Sequence, residues 1–445
     1  MSKRLVILGG GESGVGAALL AKQKGYEVVL MDEGSLKDGY RNELQQASIS
    51  FFEKGIDESQ LLNADEIVKS PGIPEKNEWI KKIRKKGIPI ISEIELAYRY
   101  KGNSKIIAIT GSNGKSTTTA LISHICKHAG LDCALVGNIG YSFAKQVAED
   151  PKALYVAEIS SFQLDDIVAF RPDVAVLLNI TEDHLDRYEY KFENYINSKF
   201  RITMNQTSED YFIYNLDDEV ITNYLEQNQI ISNQLPISMK QKVDKGAYIK
   251  DDQMHVNVSG DQQQMSIYDF ALKGKHNQYN TMAASVAGAT MDIRKNKIRE
   301  AVQTFENLEH RMEPVATVRG VEFINDSKAT NVNSTWYALE SMTKPTVLIL
   351  GGVDKGNDYS LIEELVKEKV KAIVCMGIDN KKIHEAFDAN VKVVDTDSAE
   401  DAVQASYSLA TPGDIVLLSP ACASFDLFKN YEDRGKQFKE AVKNL

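Results

Sequence analysis

The chain has 445 residues, 43% hydrophobic and 26% charged, enough apolar material for about three ordinary globular domains. Its 52 basic and 63 acidic residues leave a net charge of −11, which argues against a general nucleic-acid or membrane-surface binder. The densest apolar runs, such as Val174 to Leu178, are strand-sized and far below the ~20 residues that a membrane-spanning helix needs.

Read in chain order, apolar strand-like runs alternate with amphipathic helical stretches, the signature of α/β layers with parallel sheets. A first stretch carries strand candidates at Leu5–Leu8, Val28–Met31, Ile49–Phe52, Glu66–Val68 and Ile88–Ile91. The Leu5–Leu8 run is too short for a signal peptide and breaks at once into glycines. A second stretch starts with Ile106–Ile109, continues through Ala153–Val156 and Val174–Leu178, and predicts a helix from about Phe192 to Met204. It then holds shorter strand-like pieces between Tyr211 and Ile267 and closes with a helical run of small apolar residues, His276 to Met291. The pattern restarts near His310, with strand candidates at Val321–Ile324, Thr346–Leu350, Ala372–Cys375, Val391–Val394 and Ile415–Leu418. The restarts predict three domains, 1–95, 96–307 and 308–445. Cys126, Cys133, Cys375 and Cys422 show neither CxxC nor metal spacing, as expected of buried thiols in a reducing cytoplasm. The Lys81–Lys86 basic run reads as a solvated helix end.

Two glycine-rich turns carry chemistry. Gly9-Gly10-Gly11-Glu12-Ser13-Gly14 lies between a strand and a helix, and Asp32 ends the next strand, which fits a turn that lets backbone approach a diphosphate. A dinucleotide, another nucleotide-containing ligand and a purely structural turn all satisfy that pattern. The second turn, Gly111-Ser112-Asn113-Gly114-Lys115-Ser116-Thr117, follows a buried strand and opens a helix. Its Gly-Lys-Ser core is that of a phosphate loop: backbone amides cradle phosphates, Lys115 reaches the β/γ oxygens and Ser116 can bind Mg²⁺. Ile109 stands where the general pattern has a glycine, so the loop is a shorter variant.

The segment from Thr110 to Thr117 resembles the ATP loop of the Mur ligases and the related folylpolyglutamate synthases. Further motifs follow in that order: Gly137-Asn138-Ile139-Gly140, Glu158 to Leu164, Asn179 to Arg187, Gly274-Lys275-His276-Asn277, His310-Arg311-Met312-Glu313, Asn325 to Asn331 and Ser419 to Asp426. The Asp326–Asn331 and Ser419–Ser424 segments, with Ser70-Pro71-Gly72-Ile73, single out the D-glutamate-adding branch, and the resemblance runs from Leu5 to about Arg434.

The resemblance implies three α/β domains: Rossmann-like at the N-terminus, a central phosphate-loop ATPase domain, and Rossmann-like at the C-terminus. It implies ATP-dependent joining of D-glutamate to UDP-N-acetylmuramoyl-L-alanine through an acyl phosphate, in cytoplasmic peptidoglycan precursor synthesis. Gly111, Asn113, Gly114, Lys115, Ser116, Thr117, Asn277, Asn280, Arg311, Asp326 and Lys328 would contact ATP. Ser116, Glu158, His184 and Lys199 would hold two Mg²⁺ ions (Mn²⁺ accepts the same ligands), Lys199 as a carbamate made with CO₂, and Lys115, Glu158, His184 and Lys199 would be the catalytic set. Ser13, Gly14, Asp32, Gly72, Asn138 and His184 would bind the UDP end. Thr330, Lys355, Ser424, Phe425 (through its backbone amide) and Tyr431 would hold D-glutamate. Glu33-Gly34 departs from a hydroxyl-and-basic loop found in relatives, where Lys37 or Arg41 could substitute. A monomer with small-molecule partners is expected. The competing readings are another Mur-type or folylpolyglutamate-type ligase and, from Gly9–Gly14 with Asp32, an NAD-dependent oxidoreductase.

Overall fold

The structure, a computed structural model, describes residues 2–258 and 260–445. It comprises two compact units, one of residues 1–271 and 278–305, the other of 272–277 and 306–445. No helix among the described residues is long and apolar enough to cross a membrane.

The first unit contains two sheets. In the first, the strand order is Ser50–Phe52, Glu27–Met31, Arg4–Leu8, Glu66–Lys69, Ile90–Ile91, all parallel. The chain direction reverses beside Arg4–Leu8, so the loops after that strand and after Glu66–Lys69 flank a topological switch point, where open α/β sheets bind ligands. The last strand is shorter than the apolar run Ile88–Ile91 suggests, because Pro89 has no N–H to give; its carbonyl still accepts the Ile67 N–H. The helix Glu12–Gln23 starts earlier than its apolar face, with Glu12 suited to the first turn.

In the second sheet the phosphate-loop strand Lys105–Thr110 lies between Leu154–Glu158 and Val174–Leu177, in parallel register. Ile106 to Thr110 are buried, as expected of a parallel strand covered on both faces. Cys133–Gly137 forms the far edge, and Tyr211–Asn215 and Asn233–Ser238 extend the other side in parallel. Gly246–Lys250, Gln253–Val258 and Asp261–Ser266 end it as an antiparallel meander. The predicted helix 192–204 is α-helical over Phe192–Phe200 and tightens to a 3₁₀ turn at Arg201–Thr203.

The second unit is one sheet covered by helices, in the order Glu313–Val318, Val321–Asn325, Ile415–Leu418, Thr346–Leu350, Val370–Met376, Lys392–Thr396. Only the first pairing among the described residues is antiparallel. The final strand of the chain is thus inserted between two earlier ones. The loops that follow Asn325, Leu350 and Leu418 thereby leave adjacent strands at the same edge.

Candidate active site

The phosphate loop is held open by its own backbone geometry and by the segment after Val174–Leu177. Gly114 has φ +82°, and a Cβ there would lie 2.5 Å from Asn280 Oδ1, so glycine is required on both counts. Ser112 N–H donates to the Asn179 carbonyl at 2.9 Å, Asn113 N–H to Asn179 Oδ1 at 2.8 Å, and Ser112 Oγ to the Thr181 carbonyl at 2.9 Å. Lys115 Nζ donates to the Gly111 and Ser112 carbonyls at 2.7 and 2.8 Å. Ser116 and Thr117 are buried at the start of the helix Lys115–His128.

Glu158 ends the strand beside the loop, almost wholly buried, and its Oε1 accepts the Asn138 side-chain N–H at 2.8 Å. Lys199, only 1% exposed, projects from Phe192–Phe200, donates to the Gly111 carbonyl at 2.7 Å and lies 4.5 Å from the centre of the Tyr195 ring. Burial and the nearby Lys115 charge push its amine well below the ordinary lysine range, against the opposing pull of Asp183, Asp165 and Glu158. His184 adopts a left-handed backbone (φ 53°) and sets its ring edge against Phe162.

A cavity of about 320 Å³ joins these groups; Lys115, Asn138, Asp183, His184, Tyr195 and Lys199 line it, with Pro71 and Gly72 reaching it from the first sheet. Arg187 connects the two sheets. Its guanidinium lies 4.2 Å from the Phe162 ring centre and donates to the Pro71 and Ile73 carbonyls at 3.0 and 3.3 Å.

At the first glycine turn, Ser13 and Gly14 open the helix Glu12–Gln23 beside the switch point. A Cβ at Gly14 would lie 1.9 Å from the Gly9 carbonyl oxygen. Asp32 is a strut of this turn: Oδ2 accepts the Gly10 N–H at 2.5 Å and Oδ1 the Gly34 N–H at 2.6 Å. Arg41 does not fit the substitute role suggested for it, because Glu53, Asp38 and the Leu36 carbonyl engage its guanidinium. Lys37 is exposed and lies over the Tyr40 ring.

In the second unit, Asp326, Lys328 and Thr330 follow Val321–Asn325, Lys355 follows Thr346–Leu350, and Ser424 and Phe425 follow Ile415–Leu418. Asp326 is buried, accepts the Ser419 hydroxyl at 2.9 Å and the Met312 N–H at 3.2 Å, and has its carboxyl pushed up to about 7 by burial. Lys328 Nζ lies 5.2 Å from the centre of the Tyr431 ring. Val353 and Ala423 exchange backbone hydrogen bonds, and Asn357 Nδ2 donates to the Ala421 carbonyl at 3.1 Å, which laces the Lys355 loop to the Ser424 loop. Ser424 is buried, Thr330 half-buried, Lys355 exposed, and Phe425 is 71% exposed. On the helix Lys275–Thr290, Asn277 donates to the Lys273 carbonyl at 2.8 Å, and Asn280 is the residue that faces Gly114 in the first unit.

Three family models match the chain: "Mur ligase MurD-like, N-terminal domain" over residues 3–92, "Mur ligase middle domain" over 109–288 and "Mur ligase, glutamate ligase domain" over 310–422. The chain is 54% identical over 446 residues to a UDP-N-acetylmuramoylalanine--D-glutamate ligase of Christiangramia forsetii, covering 100% of both chains. The chain belongs to the Mur ligase family. A ligase of the same name from Bacteroides fragilis is 53% identical, again over 100% of both chains. Among solved structures, the UDP-N-acetylmuramate-alanine ligase MurC of Thermotoga maritima has a TM-score of 0.64 at 15% identity, covering 99% of each chain. A pseudomurein peptide ligase type C from Methanothermus fervidus has a TM-score of 0.63 at 19% identity over 100% of each. These two distant likenesses concern the Mur ligase fold.

Several residues of this Mur ligase site carry no assigned role in the sequence reading. Asp183 and Arg187 fall inside a quoted motif, but neither spacing nor charge says that one lines the cavity and the other ties the Pro71–Ile73 loop. Tyr195 reads as a core aromatic on an amphipathic helix. Arg434 is wholly buried and donates to Ser327 Oγ, to the Ser327 and Cys422 carbonyls and to the Gly351 carbonyl, pinning the roots of all three loops of the second unit. Its only signal in sequence is a cation on the inward face of the last helix. The Asp183 carboxylate and the His184 imidazole line the cavity, while Glu158, bonded to the lining residue Asn138, and Ser116, next to Lys115, adjoin it; these mostly oxygen donors fit a hard divalent cation.

Proposed function

We propose that this chain joins D-glutamate to UDP-N-acetylmuramoyl-L-alanine at the expense of ATP, in cytoplasmic peptidoglycan precursor synthesis. One observation carries the reading: a chain similar end to end to ligases of that name gathers Lys115, Asn138, His184 and Lys199 around one cavity. In the reaction, the substrate carboxylate attacks the γ-phosphorus of ATP, giving an acyl phosphate and ADP. The D-glutamate amine then adds to the acyl carbon, and phosphate leaves from the tetrahedral intermediate. Such a transfer needs positioning and charge neutralisation more than a protein nucleophile.

The loop amides from Gly111 to Thr117 and the Lys115 ammonium receive the phosphates, with Asn277, Asn280, Arg311, Asp326 and Lys328 completing the nucleotide contacts. Ser116, Glu158 and His184, with Lys199 as a carbamate, would hold two magnesium ions. Magnesium, when bound, offsets the negative charge gathered on the phosphoryl oxygens. The Lys199 carbamate comes from the family resemblance, and chemistry is consistent with it: an ammonium would repel a cation, whereas an uncharged amine adds CO₂, releases a proton and becomes a carbamate whose charge is shared by two oxygens. Ser13, Gly14, Asp32, Gly72, Asn138 and His184 take the UDP end, Asp32 by shaping the turn whose amides face the diphosphate. Thr330, Lys355, Ser424, the Phe425 amide and Tyr431 take the two carboxylates of D-glutamate. The oxidoreductase reading leaves the phosphate loop, Glu158, His184 and Lys199 without a task.

Phosphate release tests the reading. It should require ATP, Mg²⁺, UDP-N-acetylmuramoyl-L-alanine and D-glutamate together; equal release with L-glutamate or another amino acid would refute the acceptor, and none with any acceptor would refute the ligase.

A further inference from the structure

At one edge of the second unit, three chemically distinct side chains converge that the ligase reading leaves without a task. Cys375 lies near the end of the strand Val370–Met376, and Asp395 is its direct partner on the neighbouring parallel strand Lys392–Thr396. His384 leans in from the helix Lys381–Phe387 that connects the two strands. A ligand atom of each, the thiol sulfur, a ring nitrogen and a carboxylate oxygen, lies within 4.8 Å of the other two. His384 Nε2 is 3.1 Å from both oxygens of Asp395, while Nδ1 is 2.9 and 3.1 Å from those of Asp388. Cys375 is fully buried, and the histidine and aspartates above it are partly exposed.

We propose that Cys375, His384 and Asp395 form a binding site for a zinc-class divalent cation, with Asp388 orienting the imidazole from its far side. A thiol, an imidazole and one carboxylate are the donor mixture of zinc rather than of magnesium or calcium, which take oxygen sets, and water completes the four-coordinate shell. A histidine that ligates through one nitrogen usually donates its other N–H to a carboxylate, and Asp388 stands there. An ion pair between an imidazolium and two aspartates accounts for Asp388 and Asp395 but gives the thiol no part. Ligand atoms around tetrahedral zinc are about 3.5 Å apart; His384 Nε2 and the Asp395 carboxylate already stand 3.1 Å apart, so the adjustment needed is between this pair and the buried sulfur, which lies within 4.8 Å of each. Metal entry releases the thiol proton and the imidazole Nε2 proton to solvent.

A bound metal would clamp strand, helix and strand together. Lys382, two residues before His384 on the same helix, pairs with Asp354 at 3.0 Å, and Asp354 adjoins Lys355. The metal would therefore brace the loop proposed to hold D-glutamate. That consequence rests on the function proposed above; the site itself does not.

The test uses the full chain, stripped with a chelator, dialysed and titrated with Zn²⁺ and, separately, Co²⁺. Wild type should retain one equivalent of zinc more than Cys375→Ser, and its cobalt form should show a thiolate-to-metal charge-transfer band that the variant lacks. Asp388→Asn should weaken zinc binding by about tenfold, the usual effect of removing such an outer carboxylate. Because Cys375 is a core residue, the surface variant His384→Gln, which should lose the same equivalent, keeps the test decisive if the serine variant fails to fold. Equal zinc uptake by wild type and His384→Gln, or a cobalt spectrum without the thiolate band, would overturn the proposal.

Discussion

Lys199 gives the sharpest perturbation. Its Nζ and that of Lys115 each lie 2.7 Å from the Gly111 carbonyl oxygen, so the two amines are at most about 5.4 Å apart. Two like charges at that distance repel by about 3 kcal/mol at an effective dielectric of about 20, and burial disfavours the charged amine further. Burial and the Lys115 charge both push the Lys199 amine below the ordinary lysine range. The uncharged amine is the form that captures CO₂, and a lowered pKa raises its share. Lys199→Ala should therefore lower the rate of phosphate release by about 10²–10³-fold, the scale seen when one charge-stabilising group is removed from a reaction centre. Acetate or propionate, small enough for the vacated space, should restore part of that rate. Lys199→Arg, always protonated, should be as inactive as the alanine variant and unresponsive to either acid. Wild type should lose rate in CO₂-stripped buffer and show a carbamate carbon in its NMR spectrum after ¹³CO₂ labelling. Full activity in Lys199→Arg would refute the reasoning, since a plain cation would then suffice.

Other perturbations follow from particular contacts. Gly114→Ala places a Cβ 2.5 Å from Asn280 Oδ1 at a φ of +82°; the backbone alone costs about 1–2 kcal/mol, so thermal melting should drop and ATP binding by calorimetry should weaken. Arg434→Ala strips hydrogen bonds from buried carbonyls at Ser327, Cys422 and Gly351 and should destabilise the second unit by about 3–5 kcal/mol in urea unfolding. The Asp326 carboxyl has its folded pKa raised to about 7 by burial. Its ionisation therefore opposes folding, and the stability it contributes when protonated is lost as pH rises from about 4 to 7. Asp326→Asn should narrow that loss, with the gap to wild type growing by at most about 4 kcal/mol over the same window; equal pH dependence of the two would contradict the assignment.

The fold was legible where one chemical signal spans a whole element. Buried runs such as Ile106–Ile109 and Thr346–Leu350 read directly as parallel strands, and the two glycine turns announced the ends from which ligands are approached. Cys133–Gly137 was not legible, because a short edge strand with a cysteine and a glycine has neither alternation nor a dense apolar run. Nor was Glu313–Val318, where Pro314 and a bulge before Ala316 break the pattern. Sheet order is a long-range property: nothing local says that Ile415–Leu418 inserts between Val321–Asn325 and Thr346–Leu350, yet that insertion puts Asp326, Lys355 and Ser424 on neighbouring loops. The same reason hid Arg187, which matters through carbonyls more than 110 residues earlier in the chain. It also hid the thiol, imidazole and carboxylate of Cys375, His384 and Asp395, which have no recognisable metal spacing because they come from a strand, a helix and a second strand.

In the proposed reaction ATP activates the substrate's own carboxylate. The direct measurement is isotope transfer: UDP-N-acetylmuramoyl-L-alanine labelled with ¹⁸O in its carboxylate, turned over with ATP, Mg²⁺ and D-glutamate, followed by mass analysis of the phosphate released. An acyl phosphate hands one substrate oxygen to phosphate, so each phosphate should carry one ¹⁸O. Unlabelled phosphate formed at the same rate as product would contradict the account.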